Sequence, residues 1–148
     1  MINGTGDLKN ADYSNEDFTG WAHKDGIITN INFKNSIVQN CFFSNVVFTG
    51  CNFENALILQ SKFYDCTFDD CRFSDASQEN NSRFDMCIIK NTSIIFSNKN
   101  NYAINLDQCS VNGCNFSDRG KFIFGLCVMK DSTVYNNATN NGYNVIVD

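Results

Sequence analysis

The sequence predicts an all-β solenoid, on three observations: an apolar residue at every fifth position, a smaller residue two places before it, and no proline in 148 residues. The apolar centres run Leu8, Tyr13, Phe18, Ile28, Phe33, Val38, Phe43, Phe48, Phe53, Ile58, Phe63, Phe68 and Phe73, interrupted only by His23. Helices repeat every 3.6 residues and strands every 2, so a strict period of five marks a repeat array whose unit is one short element. The smaller column is Ala11, Ile31, Ser36, Cys41, Val46, Cys51, Ala56, Ser61, Cys66, Cys71 and Ala76, with Glu16 and Trp21 as exceptions. Residues two apart on an extended segment share a side, so both columns are expected to face inward and the residue between them outward. The last two residues of each unit, among them Lys34-Asn35, Ser44-Asn45, Thr49-Gly50 and Asp69-Asp70, have turn chemistry and are read as the corner. Proline is missing, as expected where nearly every backbone N–H is needed in a ladder.

Cys51-Asn52-Phe53-Glu54-Asn55, Cys66-Thr67-Phe68-Asp69-Asp70 and Cys71-Arg72-Phe73-Ser74-Asp75 resemble the units of the pentapeptide-repeat family: small residue, polar residue, Leu or Phe, then two polar residues. The likeness spans about four-fifths of the chain. It implies a right-handed quadrilateral β-helix of about six coils, with residues twenty apart stacked in columns at roughly 4.8 Å.

The register slips after residue 76. Centres resume as Phe84, Ile89 and Ile94, then Leu106, Val111 and Phe116, then Phe124, Met129 and Val134. The polar stretches at 77–83, 98–102 and 117–121 are read as bulges or loops leaving the coil. One domain, 1–148, is expected, with regular repeats over 6–76, interrupted repeats over 82–135 and a closing segment over 136–148. Within that segment, 143–147 alternates like a strand and either caps the last coil or pairs with a second chain.

Of 14 phenylalanines, 11 fall on centres and read as core ladders rather than a ligand box. All eight cysteines, Cys41, Cys51, Cys66, Cys71, Cys87, Cys109, Cys114 and Cys127, occupy the inward small column. There they act as small hydrophobes. Their closest spacing is five residues, unlike the two to four of metal pairs. Free thiols and the lack of a signal peptide favour a reducing, cytoplasmic setting.

Catalytic chemistry is not expected. His23 is the only histidine and stands beside Trp21, a pattern of a distorted first coil or helix entrance. Asp65, Asp69, Asp70, Asp75, Glu79 and Asp85 are read as solvated corner residues. No Gly-rich phosphate loop is present, and 16 acidic residues outnumber 11 basic ones, against nucleic-acid binding. No cofactor and no metal site are expected, and no long apolar run suggests a membrane segment.

Function is therefore expected on the outward positions. Every twentieth residue gives an apolar column at Ile37 and Leu57, with Leu59 beside it and Phe42 on the neighbouring face. Ile27 and Val47 lie on the opposite face. These six residues are the candidate contacts for a protein partner or a homodimer. The leading reading is a non-catalytic bacterial protein-interaction module. The resemblance adds two alternatives: a DNA-mimicking, gyrase-binding protein, which wants acidic columns where Lys34, Glu54 and Arg72 give mixed sign, and a secreted type III effector domain delivered to a host cell.

Overall fold

The structure, a computed structural model, describes residues 4–79, 82–96, 103–116, 121–125, 127–130, 133–134, 138–140 and 145–147. Parallel strands stack into a β-helix with four sides. On the first side the centres register as Gly4, His23, Phe43, Phe63, Phe84, Leu106, Phe124 and Asn140. The second side stacks Leu8, Ile28, Phe48, Phe68, Ile89, Val111, Met129 and Ile146. On the third, bridges join Asp12, Asn32, Asn52 and Arg72, and the ladder continues from Phe73 through Ile94 and Phe116 to Val134. The fourth runs Phe18, Val38, Ile58 and Gln78.

Every later centre read from the sequence thus falls beneath an earlier one. The closing strand Val145–Val147 pairs in parallel with Val128–Lys130 of its own chain. Gly4–Thr5 pairs with His23 and Lys24 at the other end.

On three sides the corner differs from the sequence reading by one residue, whereas on the third side Ser14-Asn15, Lys34-Asn35 and Glu54-Asn55 are turns as read. Short strands such as Ile37–Gln39, Leu57–Leu59, Lys62–Tyr64 and Thr67–Asp69 hold the centre and both its neighbours, so the residue after the centre is strand, not turn. Bending falls on the following residue, which adopts a left-handed conformation at Asn10, Asn15, Asp25, Asn30, Asn35, Asn40, Asn45, Asn55, Asp65, Asp70 and Asn91. Asn and Asp tolerate this region because their short polar side chains bond locally. Gly20, Gly50 and Gly113 fill it without a Cβ, whereas Gln60, Met86 and Gln108 are costlier occupants. A small inward residue then closes the bend.

Asn side chains also tie coil to coil: Asn55 donates to Asn35 at 2.8 Å, Asn35 to Asn15 at 3.2 Å and Asn45 to Asp25 at 2.9 Å. On the third side, Asp12, Asn32 and Asn52 accept from the N–H two residues on, at 3.0, 3.1 and 3.0 Å. After them Ser36 and Ala56 donate to the carbonyls of Phe33 and Phe53, closing turns with Asn35 and Asn55 left-handed. Arg72 offers no acceptor at that position, and Arg72–Glu79 runs as one strand around the bend.

The core is a set of aromatic stacks. Phe48 lies on Phe68 with centroids 4.8 Å apart, Phe53 on Phe73 at 4.8 Å, and Phe43 on Phe63 at 5.0 Å. Neighbouring columns meet edge to face, as Phe63 and Phe68 do at 5.3 Å. This geometry suits the ring quadrupole, and burying each ring contributes roughly 1.5–3 kcal/mol.

Most of the irregularity falls on one side, although a bulge between Ser74 and Ala76 interrupts the third-side pairing. Phe63 registers with Phe84, twenty-one residues on, and Phe84 with Leu106, twenty-two on. Leu106 then registers with Phe124 after eighteen and Phe124 with Asn140 after sixteen. Between Phe63 and Phe124 each change in coil length lies between a third-side centre and the next first-side centre. At the two ends the first-to-second-side spacing changes as well, with Gly4 four residues before Leu8 and Asn140 six before Ile146 where the regular spacing is five. The first interruption is smaller than expected: Ser77–Glu79 stay paired with Leu57–Leu59 and Ser82 is buried, with Arg83 already in strand. Extra residues are needed only between them. The interruption at 98–102 lies outside the described residues, as do 117–120 of the third, although Lys121 belongs to the strand Lys121–Gly125.

Candidate interaction surfaces

The interior is occupied by structure. All eight cysteines are free and buried. Their thiols donate to backbone carbonyls, Cys51 to Ile28 at 3.3 Å and Cys87 to Phe63 at 3.3 Å, so they fill the bends and satisfy carbonyls together. Burial pushes the Cys41 and Cys114 thiols up, away from the reactive thiolate. Among the described residues no group of three His, Cys, Asp or Glu side chains is placed to hold a metal ion.

His23 sits at the entrance of the coil but does not distort it, since it registers with Phe43. It is buried, and its Nε2–H donates to the Gly6 carbonyl at 2.9 Å. Trp21, packed edge to face on both His23 and Phe43, fills the place of a small inward residue, and the smaller imidazole makes room for it. His23 Nδ1, Trp21 Nε1 and Ser36 Oγ are buried without hydrogen-bond partners. Such groups cost roughly 1–3 kcal/mol each, and among the described residues all three lie in the first two coils.

Asp85 corrects the reading of the carboxylates as solvated corners. It follows the centre Phe84 on the strand Arg83–Asp85 and is only 7% exposed. Its carboxylate accepts from Arg83 Nε at 2.6 Å and pairs with Lys62 at 3.2 Å. Arg83 also reaches Asp107 at 3.4 Å, and Lys62 lies over the Tyr64 ring at 5.4 Å. The first side thus carries a charge network spanning three coils. Lys34, Glu54 and Arg72 form a looser one on the third side, with Glu54 3.8 Å from each cation. An acidic residue one place after a centre, with a cation two residues earlier on its own strand and another in the coil before, was the signal for the first network. It shows only once the slipped register is followed.

The six candidate contacts separate into two surfaces. Ile37, Leu57 and Leu59 line the fourth side and are half-buried by their neighbours in the column, while Phe42 stands exposed across the corner on the first side. Ile27 and Val47 are on the second side, in a column the sequence reading stopped too early. With the slipped register followed, the column continues Thr67, Ile88, Ser110 and Val128. Ile27, Ile88 and Val128 are 46%, 49% and 48% exposed, whereas Ile37 and Leu57 are half-buried. Met86 adds an exposed side chain at the adjoining corner.

Comparison with known proteins agrees with the geometry. The family model described as pentapeptide repeats, in eight copies, matches residues 27–57. No curated protein matches the sequence. Among solved structures, a trypsin-treated variant of QnrB1, a plasmid-mediated fluoroquinolone resistance protein, superposes with a TM-score of 0.65 at 14% identity, covering 95% of this chain and 92% of that one. Rfr23, from the cyanobacterium Cyanothece 51142, gives a TM-score of 0.56 at 7% identity over 94% of this chain and 86% of that one. At these identities the likeness is one of fold.

Proposed function

Because this chain is a pentapeptide-repeat protein whose interior is committed to its coils, we propose that it is a non-catalytic bacterial interaction module, offering a rigid side to a protein partner in the cytoplasm. The observation that carries this reading is the apolar surface of Ile37, Leu57, Leu59 and Phe42, at positions where the repeat calls for polar residues. A rigid side binds with little ordering cost, which favours affinity from a modest area. The test is affinity capture from a bacterial lysate. The wild-type chain is expected to retain a partner that the variant with Ile37, Leu57 and Leu59 all changed to Thr does not. Equal capture by both removes this surface from the reading.

A second reading follows from the QnrB1 fold, since that protein confers fluoroquinolone resistance: binding of a type II topoisomerase by imitation of DNA. Charge weighs against it. The net charge is −5, and on the first side the cations Lys62 and Arg83 stack directly beside the carboxylates Asp85 and Asp107, so the side carries both signs where a phosphate-like surface needs one. A gyrase supercoiling assay with and without fluoroquinolone decides it, with no effect at micromolar protein expected.

A further inference from the structure

The second side carries a largely apolar column flanked by charges that pair when the side meets itself reversed, and from this we infer that two copies of this chain associate through their second sides, antiparallel. The proposal rests on the interaction-module reading only in placing binding on an outer side; it uses a different side from Ile37 and Leu57.

The outward columns supply the register. Before the centres lie Ile27, Val47, Thr67, Ile88, Ser110 and Val128; after the centres lie Thr29, Thr49, Asp69, Lys90 and Asn112. When two such sides face each other about a twofold axis perpendicular to the rod, each column meets itself reversed. With the axis between the rungs of Thr67 and Ile88, Ile27 meets Val128, Val47 meets Ser110 and Thr67 meets Ile88. The same axis sets Asp69 of each copy against Lys90 of the other, twice. Within one chain these two are already neighbours, with Lys90 Nζ 3.8 Å from Asp69, so the dimer gathers four alternating charges at its centre. Moving the axis onto the Thr67 rung would oppose Asp69 to Asp69, and onto the Ile88 rung Lys90 to Lys90. Like charges directly opposed are destabilising, so the charges select the register.

The area sets the strength. Ile27 to Val128 spans about five strand spacings, roughly 24 Å, on a side about 10–15 Å wide. That is below the ~800 Å² per partner of a standard interface, so association is weak and concentration-dependent. An isologous contact of this kind closes at two copies.

Sedimentation velocity from micromolar to millimolar protein is the test. The wild-type chain is expected to pass from monomer to dimer. Ile88→Lys, at the centre of the stripe, is expected to stay monomeric, with circular dichroism reporting an intact fold. D69K alone and K90D alone are each expected to weaken association about 10-fold or more, and D69K/K90D to restore it, a rescue that a folding defect does not give. The variant with Thr at positions 37, 57 and 59 is expected to dimerise normally, so failure of the partner surface and failure of the dimer are read separately. A wild-type chain that stays monomeric overturns the proposal, as does a dimer indifferent to Ile88→Lys, or a double charge swap that fails to rescue. Capture of another protein through Ile88 by a monomeric chain overturns it too and assigns the side to that partner.

Discussion

From His23 to residue 76 the chain closes each coil in twenty residues, and beyond it the coil measured on the first side takes twenty-one, twenty-two, eighteen and sixteen, yet the same columns persist on three sides. The two halves differ chiefly between the third-side centres and the next first-side ones, on the way round the fourth side. Three ladders suffice to hold the rod in register, and the fourth is where its length can change. The halves also differ inside: stacked phenylalanines fill the regular half, while Ile89, Leu106 and Val111 replace several of them later. Ring stacking survives the first slip, since Phe63 lies on Phe84 at 5.1 Å across the twenty-one-residue coil, and aliphatic side chains take over beyond it.

The contrast can be broken at the core. Phe68→Ala removes a ring stacked on Phe48 and edge-packed on Phe63, Phe73 and Phe84, and is expected to cost about 3–5 kcal/mol in urea unfolding. Ile89→Ala, one coil on in the same column, should cost less, about 2–4 kcal/mol. Equal losses would mean that the rings add nothing beyond their volume.

Insertion tests the fourth side directly. Four Gly-Ser residues placed after Glu79, where the coil already lengthens, are expected to shift stability by only about 1 kcal/mol, the scale of loop entropy. The same insertion after Asn45 interrupts the continuous strand Phe42–Thr49 and should lower the melting temperature far more. Similar melting temperatures for the two would end the claim that one side carries the variation.

Smaller effects sharpen the corners. Met86 holds φ at +54°, where its regular-half counterparts are Asp25, Asn45 and Asp65. Met86→Asn is expected to stabilise by about 0.5–1 kcal/mol in thermal melts, as other relieved left-handed positions do. At the first coil, the Ser14 side chain and then its N–H, 3.0 Å from Asp12 Oδ1, hold the Asp12 carboxyl below its usual range. A lowered folded-state value means its contribution is present above the unfolded value and is lost as pH falls through the folded one. Asp12→Asn keeps the acceptor, as Asn32 and Asn52 do, and should remove a small part of the acid sensitivity below about pH 4. An unchanged acid limb in melts from pH 2 to 6 would count against it.

The inward residues were legible in the sequence because a narrow core admits few side chains: Phe84, Ile89 and Leu106 lie under the centres before them despite the slips. The bend was displaced because Ser44 and Asn45 have the same turn chemistry, and only the backbone shows that Asn45 alone turns left-handed. Asp85 was missed because a carboxylate near a corner looks solvated until Lys62 and Arg83 are seen beside it. Ile88 was missed for a plainer reason: counting in twenties from Ile27 lands one residue short of it after the first slip. Outward positions carry little periodic constraint, so their neighbours must be found in space.

The aromatic stacks also bear on how the rod comes to exist. Each centre waits for a partner one coil away, so every coil beyond the first adds a similar loop-closure cost, and growth from a formed coil is easier than starting one. Phe43, Phe48, Phe53, Phe63, Phe68 and Phe73 form a continuous cluster in which a first pair of coils gains the most from meeting. The middle of the regular half is therefore the expected folding nucleus, with winding spreading outward toward both ends. The slowest hydrogen exchange should then belong to the amides around Phe48 and Phe68, and the fastest to the rungs at Gly4 and Val145.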